Sequence, residues 1–367
     1  MNWQAGFVFY GTFIATKGIG MRSENQEPYR ESGEEPAQRD ALLRQMSQGE
    51  NAAAKGKRSN RVRVMKFGGS VLVSAENMLL VAGHVVKAAE TERVAVVVSA
   101  LRGVTDRLYS VTRAMRMRDI PTALAEAQEI SRLHLHFGRE LYEGAEQEFQ
   151  LRLELAELAH ELDLIVRRGA DGRPPAEVTD EVVSFGERWS ARLFAAALRK
   201  LNAHAEALDA FHFIVTDGNR EDPQPRLAES YPKIHDVVQR HFDAETIPVI
   251  TGFVAATPEG CITTLGRNSS DFSAAIVACA LRAHDLTIWT SVDGFFDADP
   301  RRNADAQFLA RLSYEEALAL SKAGAKVVHP KAFDFLMQER IPLLVRNATC
   351  PERPGTWVGE GEPGGVA

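Results

Sequence analysis

Residues 61–99, RVRVMKFGGSVLVSAENMLLVAGHVVKAAETERVAVVVS, decide the fold. RVRVMKF alternates and is rich in valine, so it reads as a strand, and it stops at Gly68-Gly69-Ser70. Ser74 stands where a helix cap belongs, ahead of apolar residues at Met78, Leu79, Ala82, Val85 and Val86. RVAVVVS at 93–99 is a near-continuous apolar run, the pattern of a strand buried on both faces of a parallel sheet. Strand, helix, strand in this order is a βαβ unit. It predicts an α/β chain: a three-layer α/β/α sandwich around a mainly parallel central sheet.

Working outward, 104 to about 168 reads as mostly helical with a break at Pro121, closed by Arg173-Pro174-Pro175. A further helix is expected over roughly 177–200, with one polar face (Glu187, Arg188) and one apolar face (Trp189, Leu193, Phe194). Residues 213–225 read as loop, and IPVITGFVAA at 247–256 as strand. The turn Thr257-Pro258-Glu259-Gly260 then leads into CITT and suggests a hairpin. Next comes LGRNSSDFSAAIVACALRAHDLTIWTSVDGFFDADPR, residues 265–301: a polar loop, a small-residue helix, a buried strand at 286–292 and an acidic turn. Helices over about 313–323 and 326–339 and a strand at 342–347 complete the reading. There is no internal repeat and no heptad run.

A chain of 367 residues, 45% hydrophobic and 25% charged, is ordinary for a globular protein with ample core. Its net charge of −7 supplies no basic field for nucleic acid or anionic membrane, so an anionic ligand must be met by local cations. Cys261, Cys279 and Cys350 are far apart and form no CxxC pair, which argues against a disulfide framework or a zinc site and for a reducing, cytoplasmic setting. The apolar run at 7–15 follows no Lys or Arg and is too short to span a bilayer. Residues 1–60 are expected to be a disordered extension, 61–359 the functional domain and 360–367 a flexible tail.

Several groups of residues carry chemistry. Lys66 followed by Gly68-Gly69 places a fixed cation beside a backbone that an oxyanion can approach closely, although the order is not that of a Walker A loop. Phosphoryl transfer needs such positioning and charge stabilisation more than a nucleophilic side chain. Ser99 and Thr105 stand at the carboxyl end of the second strand, where open α/β sheets bind ligands, though Thr105 equally suits a helix cap. Glu187 suits an ammonium group or a solvated helix face. Arg267 and Asp271 crowd the start of the small-residue helix, a natural anion site. Asp293, Asp297 and Asp299 form an acidic turn suited to a nucleotide, Lys326 adds a cation, and His329-Pro330 reads as packing and a helix bend.

With these residues in view the chain resembles the aspartate kinase family of the amino-acid kinase fold over about residues 62–359. The resemblance rests on six segments in order: KFGGS, VVVSALRGVTDRL, SFGERWSARL, TGFVAATPEGCITTLGRNSSDFSAA, IWTSVDGFFDADPR and GAKVVHPKA. It implies ATP- and Mg2+-dependent phosphorylation of the L-aspartate side-chain carboxylate to 4-phospho-L-aspartate, the first step of lysine, threonine and methionine biosynthesis. Lys66 and Asp271 would be catalytic, and Gly68, Gly69 and Ser70 would bind phosphate. Ser99, Thr105, Glu187 and Arg267 would grip aspartate. Thr290, Ser291, Phe296, Asp299, Arg301 and Lys326 would surround the nucleotide, with no protein side chain assigned to metal. The N-terminal lobe would serve the amino acid, and the lobe from about 247 the nucleotide. Three departures stand out: Ser70-Val71 replaces Thr-Ser, Ser291 replaces Asp, and Phe296 replaces Tyr. The paired ACT domains common in the family are absent from these residues, from which no feedback inhibition by lysine or threonine is expected. Oligomeric state is left open, a homodimer through the catalytic domain being one arrangement. Two rival readings are a kinase of another acidic amino acid and a catalytically impaired regulatory subunit.

Overall fold

The computed structural model describes residues 59–360 apart from 143–145, 170, 301 and 304. The expectations for residues 1–58 and 361–367, and that for Arg301, lie outside the described residues. The opening strand of the βαβ unit, β1 (Val62–Phe67), lies inside an eight-stranded sheet, paired in parallel with β2 (Arg93–Val98) on one side and β7 (Asp285–Thr290) on the other. Beyond β2 come β4 (Ile247–Thr251) and β3 (Ala205–Leu208). Beyond β7 come β11 (Leu343–Asn347), β12 (Thr356–Val358) and β10 (Arg311–Leu312). Of these pairings only that of β11 with β12 is antiparallel. Two hairpins stand outside the sheet: β5 (Val254–Ala256) with β6 (Ile262–Thr264), and β8 (Phe295–Phe296) with β9 (Phe308–Leu309).

Strand alternation divides the core. Met65 and Phe67 enter a cluster with α1 (Ala75–Ala89), α2 (Val104–Arg116), α3 (Ile120–Leu141), α4 (Glu146–Arg168) and α5 (Pro175–Lys200). Val64 enters a second cluster with α6 (Leu227–Asp243), α7 (Ser270–Ala280), α8 (Tyr314–Lys322) and α9 (Pro330–Gln338). Helices therefore cover both faces, giving the expected three layers. Lys66 alternates with Met65 and Phe67, so it projects with Val64 toward the layer that holds α7.

Local chemistry explains most element ends. Ser74 caps α1 by accepting from the backbone N–H of Asn77 at 3.1 Å. The helical stretch after 104 breaks at 117–119 rather than at Pro121, which sits in the first turn of α3 behind the Asp119 cap. The predicted hairpin forms between β5 and β6, with Gly260 at φ +87 closing the turn. The single strand expected over 247–256 is divided at Gly252-Phe253. A Cβ on Gly252 would lie 2.7 Å from that of Ser270, so only glycine lets the end of β4 meet the start of α7.

The largest correction concerns α5. It has no polar face: from Val182 to Leu198 every residue is buried except the half-buried Arg192. Arg188 is accommodated by two bonds to Glu161, at 2.9 and 2.7 Å, and by its position 4.5 Å over the ring of Phe185. Glu187 is buried on the side of the β2 loop.

Candidate active site

The site assembles where β1 and β2 end side by side. The Ser99 N–H donates to the Phe67 carbonyl at 3.0 Å, and the Arg102 N–H to that of Leu72 at 3.3 Å, which holds the two following loops together. Gly69 is required at their contact: a Cβ there would come within 3.0 Å of the Ala100 carbonyl oxygen. Ser70 is half-buried, whereas Val71, the residue that replaces a hydroxyl, is buried.

Lys66 ends on a carboxylate. Its Nζ lies 2.6 Å from Oδ1 of Asp271, and the two residues are 8% and 7% exposed. Asp271 sits in the first turn of α7, where the helix dipole favours an anion, and its Oδ2 accepts from the backbone N–H of His329 at 3.0 Å. The contribution of His329 was not legible in sequence. It is the N-cap of α9, its ring accepting from the Lys331 N–H at 3.3 Å, and it produces no helix bend. Burial depresses the imidazole pKa, opposed by the neighbouring Asp271 charge.

Glu187 faces the same region from the opposite layer. Gly186 makes the approach feasible, since a Cβ there would lie 2.8 Å from that of Ala100. Glu187 Oε1 then accepts from the Ala100 N–H at 3.1 Å, while Oε2 is buried without a partner. Burial pushes its pKa up to about 8, partly offset by the Ala100 hydrogen bond and by the charge of Lys66. A buried carboxyl with a free oxygen suits an incoming cation. The solvated-face alternative is thereby removed.

Thr105 is the second residue of α2 and does not cap it; the cap position is Gly103, at φ +79. Ser99 and Thr105 are both half-buried beside this loop. Arg267 is placed differently: it is exposed, hydrogen-bonds Asp106 and lies 4.7 Å over the ring of Tyr109. Tyr109 also feels the charges of Asp180 and Glu187, and burial raises its hydroxyl pKa. Asp180, seven residues before Glu187 on α5, pairs with Arg220; burial raises its pKa to about 6. Neither Tyr109 nor Asp180 was singled out from sequence. The one available signal is helical spacing, which puts them on the faces of Thr105 and Glu187.

The residues after β7 form a separate group. Thr290 accepts through its carbonyl from the Ala348 N–H at 2.8 Å, and Ser291 is exposed. Phe296 packs edge-on to Phe308 at 5.5 Å. Two of the acidic residues are occupied in closing loops: Asp293 accepts from Asn347 at 2.8 Å and pairs with Arg353, and Asp297 accepts from the Gln307 N–H at 2.7 Å. Asp299 is half-buried, 3.9 Å from Arg302. Lys326 is exposed in the connection before α9, which starts at Pro330 rather than 326. Among the described residues no three His, Cys, Asp or Glu side chains gather as a metal site, and no helix is long and apolar enough to cross a membrane.

A buried ammonium–carboxylate pair beside a Gly-Gly turn, at the carboxyl edge of a mainly parallel sheet, suits handling of a transferring anion. The chain belongs to the amino acid kinase family, whose pattern matches residues 61–347. Its relatives within that family include aspartokinases. It is 36% identical over 301 residues to the bifunctional aspartokinase/homoserine dehydrogenase 1 of Zea mays, covering 80% of this chain and 32% of that protein. It is 32% identical over 302 residues to aspartokinase 3 of Arabidopsis thaliana, covering 80% of this chain and 52% of the other. The fold superposes on E. coli aspartokinase III in complex with aspartate and ADP with a TM-score of 0.73 at 27% identity, covering 83% and 65% of the two chains. The chain thus spans about a third of the first relative and half of the second.

Proposed function

We propose that the chain is an aspartate kinase, transferring the γ-phosphoryl group of ATP to the side-chain carboxylate of L-aspartate. The observation that carries this reading is the convergence of the Lys66–Asp271 pair and the unpartnered Glu187 oxygen on the loops after β1 and β2. Glu187 would take the substrate ammonium, and Arg267 a carboxylate after leaving Asp106. Ser99 and Thr105 would hydrogen-bond the substrate. Its side-chain carboxylate, ionised at neutral pH, would attack the γ-phosphorus, and ADP would leave as the acyl phosphate forms. Lys66 would follow the charge on the transferring group, with Gly68, Gly69 and Ser70 offering their backbone, while Asp271 holds the lysine in place. Thr290, Ser291, Phe296, Asp299, Arg301 and Lys326 would border the nucleotide, so that, Arg267 apart, the sequence up to about 247 would serve the amino acid and the remainder the nucleotide. Mg2+ bound through the nucleotide phosphates would supply neutralising charge there, with no protein side chain assigned to it. The three free cysteines fit a reducing compartment such as the cytoplasm.

The test is ADP release with L-aspartate, L-glutamate and N-acetyl-L-glutamate, using the intact chain beside Lys66→Ala and Asp271→Ala. Aspartate-dependent release should fall about 10²–10³-fold in either variant, the scale for removing a group that stabilises transition-state charge. Release that is no higher than in Lys66→Ala would overturn the reading. A preference for the N-acetylated substrate would do the same, because that molecule brings no ammonium to Glu187.

A further inference from the structure

Helix α2 carries Thr105, Tyr109, Arg113 and Arg116 at spacings of four, four and three, which lines them along one face. The inner two adjoin the candidate site. The outer two, with Tyr109, Met117 and Arg267, line a cavity of about 360 Å³. Arg116 reaches the Thr179 hydroxyl at 3.4 Å, and neither Arg113 nor Arg116 forms an ion pair among the described residues. Arg267 lies over Tyr109 and has the exposed Asp106 as its acid. The nearby Asp180 is already taken by Arg220.

Three guanidinium groups thus line one cavity with no carboxylate among its described lining residues, Arg267 alone of the three being ion-paired, with the exposed Asp106, in a chain whose net charge is −7. Gathering like charges is unfavourable unless something of opposite sign joins them. Guanidinium forks match the oxygens of carboxylates and phosphates, and the cavity volume suits a small metabolite rather than a lone monovalent ion. We propose that this groove binds a small multivalent oxyanion, carboxylate or phosphate, which draws Arg267 away from Asp106. Because Arg267 and Tyr109 border both the groove and the Glu187 side, an occupant would weaken the hold on a substrate carboxylate. That second consequence rests on the aspartate kinase reading; the binding itself does not.

Calorimetric titration without nucleotide separates the two. Inorganic phosphate, pyrophosphate and citrate are titrated into the intact chain, Arg113→Ala/Arg116→Ala and Lys66→Ala. At least one anion should bind the intact chain, bind the double variant at least tenfold more weakly, and bind Lys66→Ala unchanged. Comparing citrate with the two phosphates assigns the chemistry. The proposal is overturned by no binding to the intact chain, by equal binding to the double variant, or by loss in Lys66→Ala, which would put the anion at the Gly-Gly turn. In ADP-release assays the same anion should raise the KM for aspartate with kcat unchanged, in the intact chain and not in the double variant; an unmoved KM overturns the regulatory half. A chain that binds the anion but releases no ADP upholds the groove and overturns the kinase reading.

Discussion

Glu187 is placed so that its charge state depends on whether a cation is beside it. With its pKa at about 8 it is mostly protonated near pH 7, and an ammonium at the free Oε2 would drive it to ionise. On the aspartate kinase reading, aspartate binding near pH 7 should therefore release a proton, seen as a dependence of the calorimetric heat on buffer ionisation enthalpy. Glu187→Gln should abolish that dependence and weaken aspartate about 10- to 100-fold, as expected for a lost charge-assisted bond. Stability carries the opposite sign. The folded pKa lies above the ordinary 4.5, so the contribution is full below about pH 4.5 and declines as pH rises toward 8, where the unfolded chain alone gains from ionising. Between pH 5 and 8 the intact chain should lose roughly 1–4 kcal/mol relative to Glu187→Gln in denaturant melts. A flat difference across that range would show that the carboxyl is ionised in the folded state.

At the scale of elements, α7 and α5 hold the site and differ in how far the sequence revealed them. The run SAAIVACA declares a helix that must lie close to its neighbours, and its residues from 270 to 279 are buried. Helix α5 was legible as a helix but not as one buried from Val182 to Leu198 save for Arg192, because Glu187 and Arg188 read as polar until their partners Ala100 and Glu161, 87 and 27 residues distant, are known. The strand run at 93–99 and the cap at Ser74 could be read locally, since the residues that set these ends lie in or beside the element itself. By contrast α6 carries Pro232 inside it, and β3 is a four-residue AEAL, so local preference speaks against both. The motifs placed Lys66 and Asp271 in one site; His329, Tyr109 and Asp180 depend on packing that no motif encodes. Gly252→Ala tests the junction of β4 with α7. The added methyl would meet Ser270 and the Val98 carbonyl, costing about 1–3 kcal/mol as overpacking. Because the displaced turn carries Asp271, the proposed kinase activity should lose kcat while the aspartate KM changes little.

Across the whole molecule, the end of the sheet away from the candidate site is closed by charge. Arg63 bonds Asp285 at 2.8–3.1 Å and pairs with Glu92 at 3.0 Å, and His284 lies 3.0 Å from Asp285. Against the desolvation of its burial, His284 and Arg63 hold the Asp285 carboxyl below its ordinary pKa. The sign is that of a depressed acid: its contribution is present above the unfolded value of 3.8 and lost as pH falls through the folded one. Asp285→Ala should cost roughly 3 kcal/mol at neutral pH, the scale for removing one partner of a buried pair, and should flatten the acid limb of the stability profile. Activity should survive at temperatures below the lowered midpoint, since the cluster lies at the start of β1 and β7 and the site at their other end.

The central place of β1 also bears on how the protein is made. One neighbour, β2, follows within the same βαβ unit, but the other, β7, is translated only after about 220 more residues. At roughly 5–20 residues per second the strand that carries Lys66 spends about 10–45 s with one row of backbone groups unclaimed. An open strand edge of that kind, its residues 64–67 destined for burial, is a template for wrong pairing. A nascent chain halted before residue 285 should therefore associate with other chains or with chaperones, and one released after about 347 should not.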